Sequence, residues 1–304
     1  MRRGACDWAV LAALTLSWGS AFAALRIAVH DIHPLWNTAI RLVIATAALG
    51  LALLVMRKRL PPIRDVAWRW YALSGVVGMA IPFALFAFAS TQLASAVTAI
   101  CNGGTPIFVA ALAHLFAGER LTGRRALGVL IGFAGLAVLV GADAIRGFDA
   151  GQTPALLAAL GGAALYGVSS VAIRRAPPTP ALAGAFMVCA TGMLLAVPLA
   201  AGMAAPPLHA PARAWMAAVF LGLGPSAISM IAWVWLLARR DAVFASMGTY
   251  GAPLVAVAIG MAWLNERPGP EAFVALALVI AGMLTANIGS RASSQPGQDN
   301  QAAV

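Results

Sequence analysis

Two prolines inside long apolar stretches mark the positions where the backbone itself offers polar chemistry. Pro106 and Pro253 lie 147 positions apart, and glycines surround both of them. Each proline lacks the amide hydrogen that would bond the carbonyl four residues earlier, which belongs to Asn102 or Thr249. Freed carbonyls and the Asn102 amide would be polar contacts for a small ligand. The alternative is that both prolines only bend helices for packing.

Charged and aromatic side chains within apolar stretches are the other candidates. Arg41 lies seven residues past Pro34, about 10 Å along a helix, where its guanidinium would meet a ligand carboxylate. The alternatives are that Arg41 extends back to the boundary or bonds backbone carbonyls. Arg26, nearer an end, favours a structural role. Six aromatic residues offer ligand-binding faces or ordinary packing surfaces, namely Trp18, Phe83, Phe86, Tyr166, Trp233 and Tyr250.

The acidic residues lie away from these stretches. All ten fall in or beside the connections or in the C-terminal tail, and they are Asp7, Asp31, Asp65, Glu119, Asp143, Asp149, Asp241, Glu266, Glu271 and Asp299. A hydrolase would want a paired acid, base or nucleophile. His30 and His33 have no carboxylate or thiol constellation around them, and the three cysteines show no metal-ligand spacing. We therefore expect no catalytic residue, no metal and no cofactor.

Apolar helices must position the candidates. The chain is 62% apolar and 10% charged, whereas soluble domains are about half apolar and about a quarter charged. A membrane-spanning helix needs about 20 mainly apolar residues. Hydropathy places ten such spans near residues 8–29, 34–55, 69–89, 94–115, 124–141, 154–174, 181–201, 214–238, 242–263 and 271–289. We therefore predict an all-α integral membrane protein, and no nucleic-acid partner despite the formal charge of +10.

The distribution of basic residues predicts the orientation. Fifteen of the 20 fall at the N-terminus, in the connections after spans two, four, six and eight, or in the tail, and three fall in the other connections. Because basic loops resist translocation, both termini should be cytoplasmic. Residues 290–304 have little to bury and should form a disordered tail. A cleavable signal peptide at the N-terminus is the rival interpretation, and it would leave nine spans.

The chain also aligns with itself. A constant offset of 147 relates Thr105-Pro106-Ile107 to Ala252-Pro253-Leu254 and Glu119-Arg120 to Glu266-Arg267. We predict two five-helix repeats, residues 1–146 and 147–289. Since five is odd, the second repeat would enter the membrane inverted, an arrangement typical of transporters.

Several motifs in this order resemble a known family. They are Leu16–Phe22, Pro34 with Arg41–Ala45, Pro106–Phe108, Gly118–Thr122, Gly128, Gly132–Gly135, Pro253, Glu266-Arg267 and Gly282. Together they resemble the EamA-type members of the drug/metabolite transporter superfamily over residues 8–289. Asn265 stands where that pattern has glycine.

The resemblance implies an inner-membrane exporter of amino acids or other small metabolites, with a cavity formed mainly by spans one, three, four, six, eight and nine. An importer, a nucleotide-sugar carrier, a channel and a membrane-embedded enzyme remain the alternatives. The sequence leaves the oligomeric state open.

Overall fold

Helices account for all the regular secondary structure that the chain shows where it is described. A computed structural model describes residues 5–105, 108–109, 111–112, 123–145, 152–239 and 248–287, and these ranges contain no β-strand. The predicted tail lies outside them. The helices with described bounds are α1 (Ala5–Asp31), α2 (Pro34–Val55), α3 (Ala67–Gln92), α4 (Ser95–Gly103), α5 (Gly123–Ile145), α6 (Thr153–Arg175), α7 (Ala181–Met203), α8 (Ala212–Arg239), α9 (Gly248–Trp263) and α10 (Pro270–Asn287).

Six of these helices are long and apolar enough to cross a membrane, namely α1, α2, α3, α6, α7 and α8. The shortest of the six, α2, has 22 residues and so a length of about 33 Å, against a hydrocarbon core of about 30 Å. Shorter apolar stretches lie in α5, α9 and α10. The prediction of an all-helical membrane protein is confirmed, while the count of ten spans stays a prediction.

The outward-facing surface is apolar. Leu54, Leu157, Leu194, Met216 and Ile228 are each between 63% and 77% exposed. So many exposed large apolar side chains along helices would be a liability in water. A lipid environment accommodates them, since lipid tails are as apolar as these side chains.

Two helices contain wide π-helical segments at matching places. In α3 the segment is Val76–Ala80, and in α8 it is Gly222–Ile228, with Pro225 inside it. Gly75, which directly precedes the first segment, lies 147 positions before Gly222. Such segments widen a helix and often occur at functional sites. No pattern in the sequence indicated these segments.

Glycines permit close helix contacts that recur with the same offset. A Cβ on Gly75 of α3 would lie 2.6 Å from the Val188 carbonyl oxygen of α7. A Cβ on Gly222 of α8 would lie 3.1 Å from the Arg41 carbonyl oxygen and 2.7 Å from the Ile44 Cβ of α2. Adding 147 to Gly75 gives Gly222, and subtracting 147 from Val188 gives Arg41. The two contacts are therefore reciprocal.

Helices α5 and α10 pack in the same reciprocal way. A Cβ on Gly135 would lie 2.9 Å from the Ala275 carbonyl oxygen, and one on Gly282 would lie 2.5 Å from the Gly128 carbonyl oxygen. The offset of 147 again converts one contact into the other. Small residues at such positions allow two helices to pack closely.

A carboxylate from the loop before α10 holds the start of α4. Glu266 accepts hydrogen bonds from the Ser95 amide at 2.9 Å and from the Ser95 hydroxyl at 2.7 Å. An acceptor with negative charge stabilises a helix N-terminus. The preceding Asn265 has a φ of 53°, in the left-handed region that glycine adopts readily and asparagine tolerates. This explains how asparagine replaces the glycine of the resembled pattern.

Candidate substrate cavity

A cavity of about 110 Å³ lies among α1, α3, α4, α6 and α8, with further lining from α2 and α9. It gathers eight of the eleven residues that the sequence pointed to. They are Trp18, Arg41, Phe83, Phe86, Asn102, Tyr166, Trp233 and Thr249. These residues span more than 230 positions of the sequence, and the fold brings them together around one cavity.

Of the other three predicted residues, Pro253 is described and does not line the cavity. Pro253 is buried in α9, where its Cγ would lie 2.9 Å from a Cβ on Gly103. Pro106 and the side chain of Tyr250 lie outside the described residues. The contact with Gly103 gives Pro253 a packing role next to the cavity wall.

The two proline regions differ from each other in their helix geometry. In the first half, α4 ends at Gly103 and Gly104 forms a turn. In the second half, α9 continues through Pro253 to Trp263. The helix is therefore not interrupted at Pro253. A proline inside a helix removes one hydrogen bond, and a membrane helix often continues past it because neighbouring groups satisfy the freed carbonyl.

Aromatic rings form much of the cavity wall and contact each other. Trp18 of α1 and Trp233 of α8 meet edge to face, with ring centroids 5.4 Å apart. Phe86 of α3 stacks on Tyr166 of α6 at 5.6 Å, with an interplanar angle of 18°. Both distances lie in the favourable range for aromatic pairs. Each pair joins a helix of the first half to a helix of the second half.

Among the described residues that line the cavity, Arg41 carries the positive charge, and it is only 7% exposed. Its Nε donates a hydrogen bond of 2.5 Å to the Ser226 hydroxyl, which lies in the π-helical segment of α8. Its guanidinium carbon lies 3.6 Å from the centroid of the Phe83 ring, a cation–π contact. The Arg41 side chain therefore contacts a serine hydroxyl and an aromatic face within the helix bundle.

No carboxylate balances this cation in the described part of the chain. The ion pairs found there join Asp31 to Arg213 and to His30. Ser226 is neutral, and it is the hydrogen-bond partner of the Arg41 side chain among the described residues. Arg26, the other basic residue within a predicted span, bonds the Ser90 carbonyl instead and does not line the cavity. This contact fits the structural role expected for Arg26.

Sequence reasoning missed the serines of the cavity. Ser169 and Ser170 of α6 line it, and the Ser169 hydroxyl pairs with that of Ser74 at 2.6 Å. Both serines follow Tyr166 at three and four positions, which places them on the same helix face. That spacing was a usable signal.

Two further lining residues, Gly78 and Pro225, lie 147 positions apart within the π-helical segments. The repeat offset would have paired them. Nothing in the sequence marked the segments that bring both to the cavity.

A bundle of apolar helices around a central cavity lined by a few polar groups is the architecture of a polytopic membrane transporter. The model of the EamA-like transporter family matches the chain twice, over residues 6–141 and 153–288. The protein belongs to this family. The resemblance drawn from the motifs is thus confirmed.

Relatives with assigned names are transporters. The chain is 30% identical to the "Probable terminal-alkyne amino-acid exporter" of Streptantibioticus cattleyicolor over 94% of this chain and 95% of that protein. It is 30% identical to the "Aromatic amino acid exporter YddG" of Ancylobacter novellus over 61% of this chain and 64% of that protein. It is 27% identical to the "Uncharacterized inner membrane transporter YedA" of Escherichia coli over 92% and 90% of the two chains.

A solved crystal structure shares the fold. It superimposes with a TM-score of 0.69 at 23% identity, covering 95% of this chain and 99% of the other. Together with the apolar helices, the relatives identify a multi-pass protein of the inner membrane.

Proposed function

We propose that this protein exports amino acids or related amphiphilic metabolites across the inner membrane, by alternating access through the central cavity. The observation that carries this proposal is the position of Arg41. Its guanidinium is buried on the cavity wall, with a neutral hydroxyl as its hydrogen-bond partner among the described residues. Ionisable residues at membrane depth are expensive to bury and usually functional. A substrate carboxylate would receive charge-assisted hydrogen bonds from this group.

The aromatic wall accounts for the other part of the substrate. Trp18, Phe86, Tyr166 and Trp233 offer ring faces and edges around the same space that Arg41 borders. Ligand cavities typically combine apolar and aromatic walls with a few placed polar groups. A carboxylate held at Arg41 would leave an apolar side chain against these rings. Amino acids with bulky apolar side chains, aromatic ones included, and related carboxylates fit this arrangement.

Alternating access rests on two equivalent halves, residues 1–146 and 147–289. The reciprocal contacts of Gly75 with α7 and Gly222 with α2 support a two-fold relation between them. The family model, which matches each half separately, supports the same division. In transporters with inverted repeats, the two halves rock around a fixed site near the middle of the membrane. Here that site would be the cavity between α1, α3, α6 and α8.

Export is favoured by the names of two relatives, which are described as amino-acid exporters. The orientation of the chain is part of the proposal. Both termini would be cytoplasmic because 15 of the 20 basic residues fall on that side of the predicted spans. Import through the same cavity is the alternative direction.

Transport by proteoliposomes tests the role of Arg41. Phenylalanine uptake by the parent protein should saturate, and Arg41→Gln should weaken it by about tenfold or more, since a hydrogen bond to a charged group contributes about 1.5–3 kcal/mol. Arg41→Lys keeps the charge and should retain more activity than Arg41→Gln. Arg213→Gln is the matched control, because Arg213 pairs with Asp31 at the surface and is 64% exposed.

Parent-like uptake by Arg41→Gln would contradict the assignment of Arg41. Each variant is compared with the parent by its elution from size exclusion and by its thermal stability. Ser226→Ala provides a second, milder test, because it removes only the hydroxyl that orients the Arg41 side chain.

A further inference from the structure

We propose that the cavity prefers apolar carboxylates that carry no ammonium group over the free amino acids with the same side chain. Phenylpropionate-like and N-acylated amino acids are the ligand class. This inference rests on the proposed function and narrows the substrate class of the same site. It departs from the zwitterionic substrate that the sequence alone favoured.

The net charge of the cavity distinguishes the two kinds of substrate. Its described lining contains the cation of Arg41 and no carboxylate. A bound zwitterion would leave the net charge at one positive unit, whereas a monoanion would bring the net charge to zero. An uncompensated charge in a low-dielectric interior is costly. The cavity therefore complements a substrate with one net negative charge.

The hydroxyls of the cavity cannot offset a second positive charge. An ammonium group has three hydrogens to donate and accepts none. The Ser169 hydroxyl pairs with that of Ser74 at 2.6 Å, and the Ser170 hydroxyl donates to the Tyr166 carbonyl at 2.8 Å. Their oxygens keep lone pairs that can accept from an ammonium group, but as neutral acceptors they do not balance the charge that it brings beside Arg41. An N-acylated nitrogen or a plain methylene brings no such charge.

The end of the Arg41 side chain can form two parallel hydrogen bonds with a carboxylate. Ser226 occupies its Nε, and the Phe83 ring covers one face of the guanidinium. The two terminal nitrogens have no protein hydrogen-bond partner among the described residues. A carboxylate that meets both of them would form a bidentate pair, the strongest geometry available to arginine.

One competing interaction decides the outcome. Aromatic faces attract cations, so Trp18, Trp233 and Tyr166 offer an ammonium group some compensation. The Asn102 amide oxygen also lies in the wall, where it accepts from the Thr105 hydroxyl at 3.4 Å. If these groups stabilise an ammonium group by more than the charge of Arg41 destabilises it, free amino acids will bind more tightly than phenylpropionate-like and N-acylated compounds.

Equilibrium binding to the full-length protein in detergent at pH 7 tests the inference. The probes are 3-phenylpropionate, N-acetylphenylalanine, phenylalanine and 2-phenylethylamine. We expect the first two to bind at least about tenfold more tightly than phenylalanine, and the amine to bind weakest. The ranking is measured on the parent protein, so it does not depend on whether a variant folds. Arg41→Gln should abolish the preference, and the surface control Arg213→Gln should keep it.

Two results would overturn this inference. They are phenylalanine binding at least as tightly as both anions, and an absence of binding by all four probes. The export proposal is judged separately by Arg41-dependent transport. Phenylalanine that binds tightest and is still transported through Arg41 refutes the anion preference alone. Transport and binding that are both indifferent to Arg41 refute the two proposals together.

Discussion

The reciprocal glycine contacts predict a stability loss that can be worked out from the geometry. In Gly75→Ala the new methyl carbon would lie 2.6 Å from the Val188 carbonyl oxygen and 2.8 Å from the Gly192 amide nitrogen. Both are backbone atoms, so relief requires that α3 and α7 move apart. Overpacking of this kind costs about 1–3 kcal/mol, and we take about 3 kcal/mol because backbone cannot rotate away. The better helix propensity of alanine returns about 1 kcal/mol.

The net loss in the free energy of unfolding is therefore about 2 kcal/mol. At about 2–4 °C per kcal/mol for large domains, the apparent Tm should fall by about 4–8 °C. Gly222→Ala should lose a similar amount, because its methyl carbon would meet Ile44 and the Arg41 carbonyl oxygen at the equivalent place. Tryptophan fluorescence during heating in detergent measures both variants. Gly202→Ala is the control, since nothing lies within 4 Å of its added carbon, and it should be no less stable than the parent.

Gly75→Ala and Gly222→Ala variants that are as stable as Gly202→Ala would contradict the overpacking. A loss of stability in only one of the two would show that the two contacts are not equivalent. The contact distances predict losses at both positions.

The remaining predictions address the site, the loop before α10 and the membrane topology. Ser226→Ala should weaken carboxylate binding several-fold to about tenfold, and parent-like binding would show that the hydroxyl does not position Arg41. Glu266→Gln should lower the Tm by a few degrees because the Ser95 amide loses a charged acceptor, with Arg213→Gln unchanged. Reporter fusions should place both termini in the cytoplasm, and a periplasmic C-terminus would contradict the orientation. Transport in vesicles should not require a proton or sodium gradient, since no described carboxylate lines the cavity, whereas uphill accumulation driven by such a gradient would refute this.

Repetition in the sequence accounts for most of what could be predicted about the fold. The offset of 147 follows from single positions such as Trp68 and Trp215, and the glycine contacts obey the same offset. Apolar periodicity and proline boundaries locate helices because both act within one turn of the chain. They carry no information on how a widened helical turn forms, since that depends on tertiary contacts. The π-helical segments of α3 and α8 were therefore invisible.

The candidate site was predictable as a set of residue types and less so as an arrangement. Aromatic residues and Arg41 stand out inside apolar stretches, since lipid offers a charge no solvation. The partner of Arg41 did not stand out, because Ser226 lies 185 positions away in the chain and serine is common in membrane helices. Whether the helix would continue past Pro253 could not be decided from the sequence, because α9 is continuous through it and neighbouring groups decide whether a membrane helix continues past a proline.

Counterflow tests the central claim, that a single carrier site lies in this cavity. Proteoliposomes loaded with unlabelled phenylalanine are diluted into a trace of the labelled compound, and the transient accumulation is followed in the parent protein and in Arg41→Gln. We expect accumulation that saturates with the trace concentration in the parent and is reduced about tenfold or more in the variant. Flux that rises linearly without saturation, or counterflow that is unchanged in Arg41→Gln, would contradict the account.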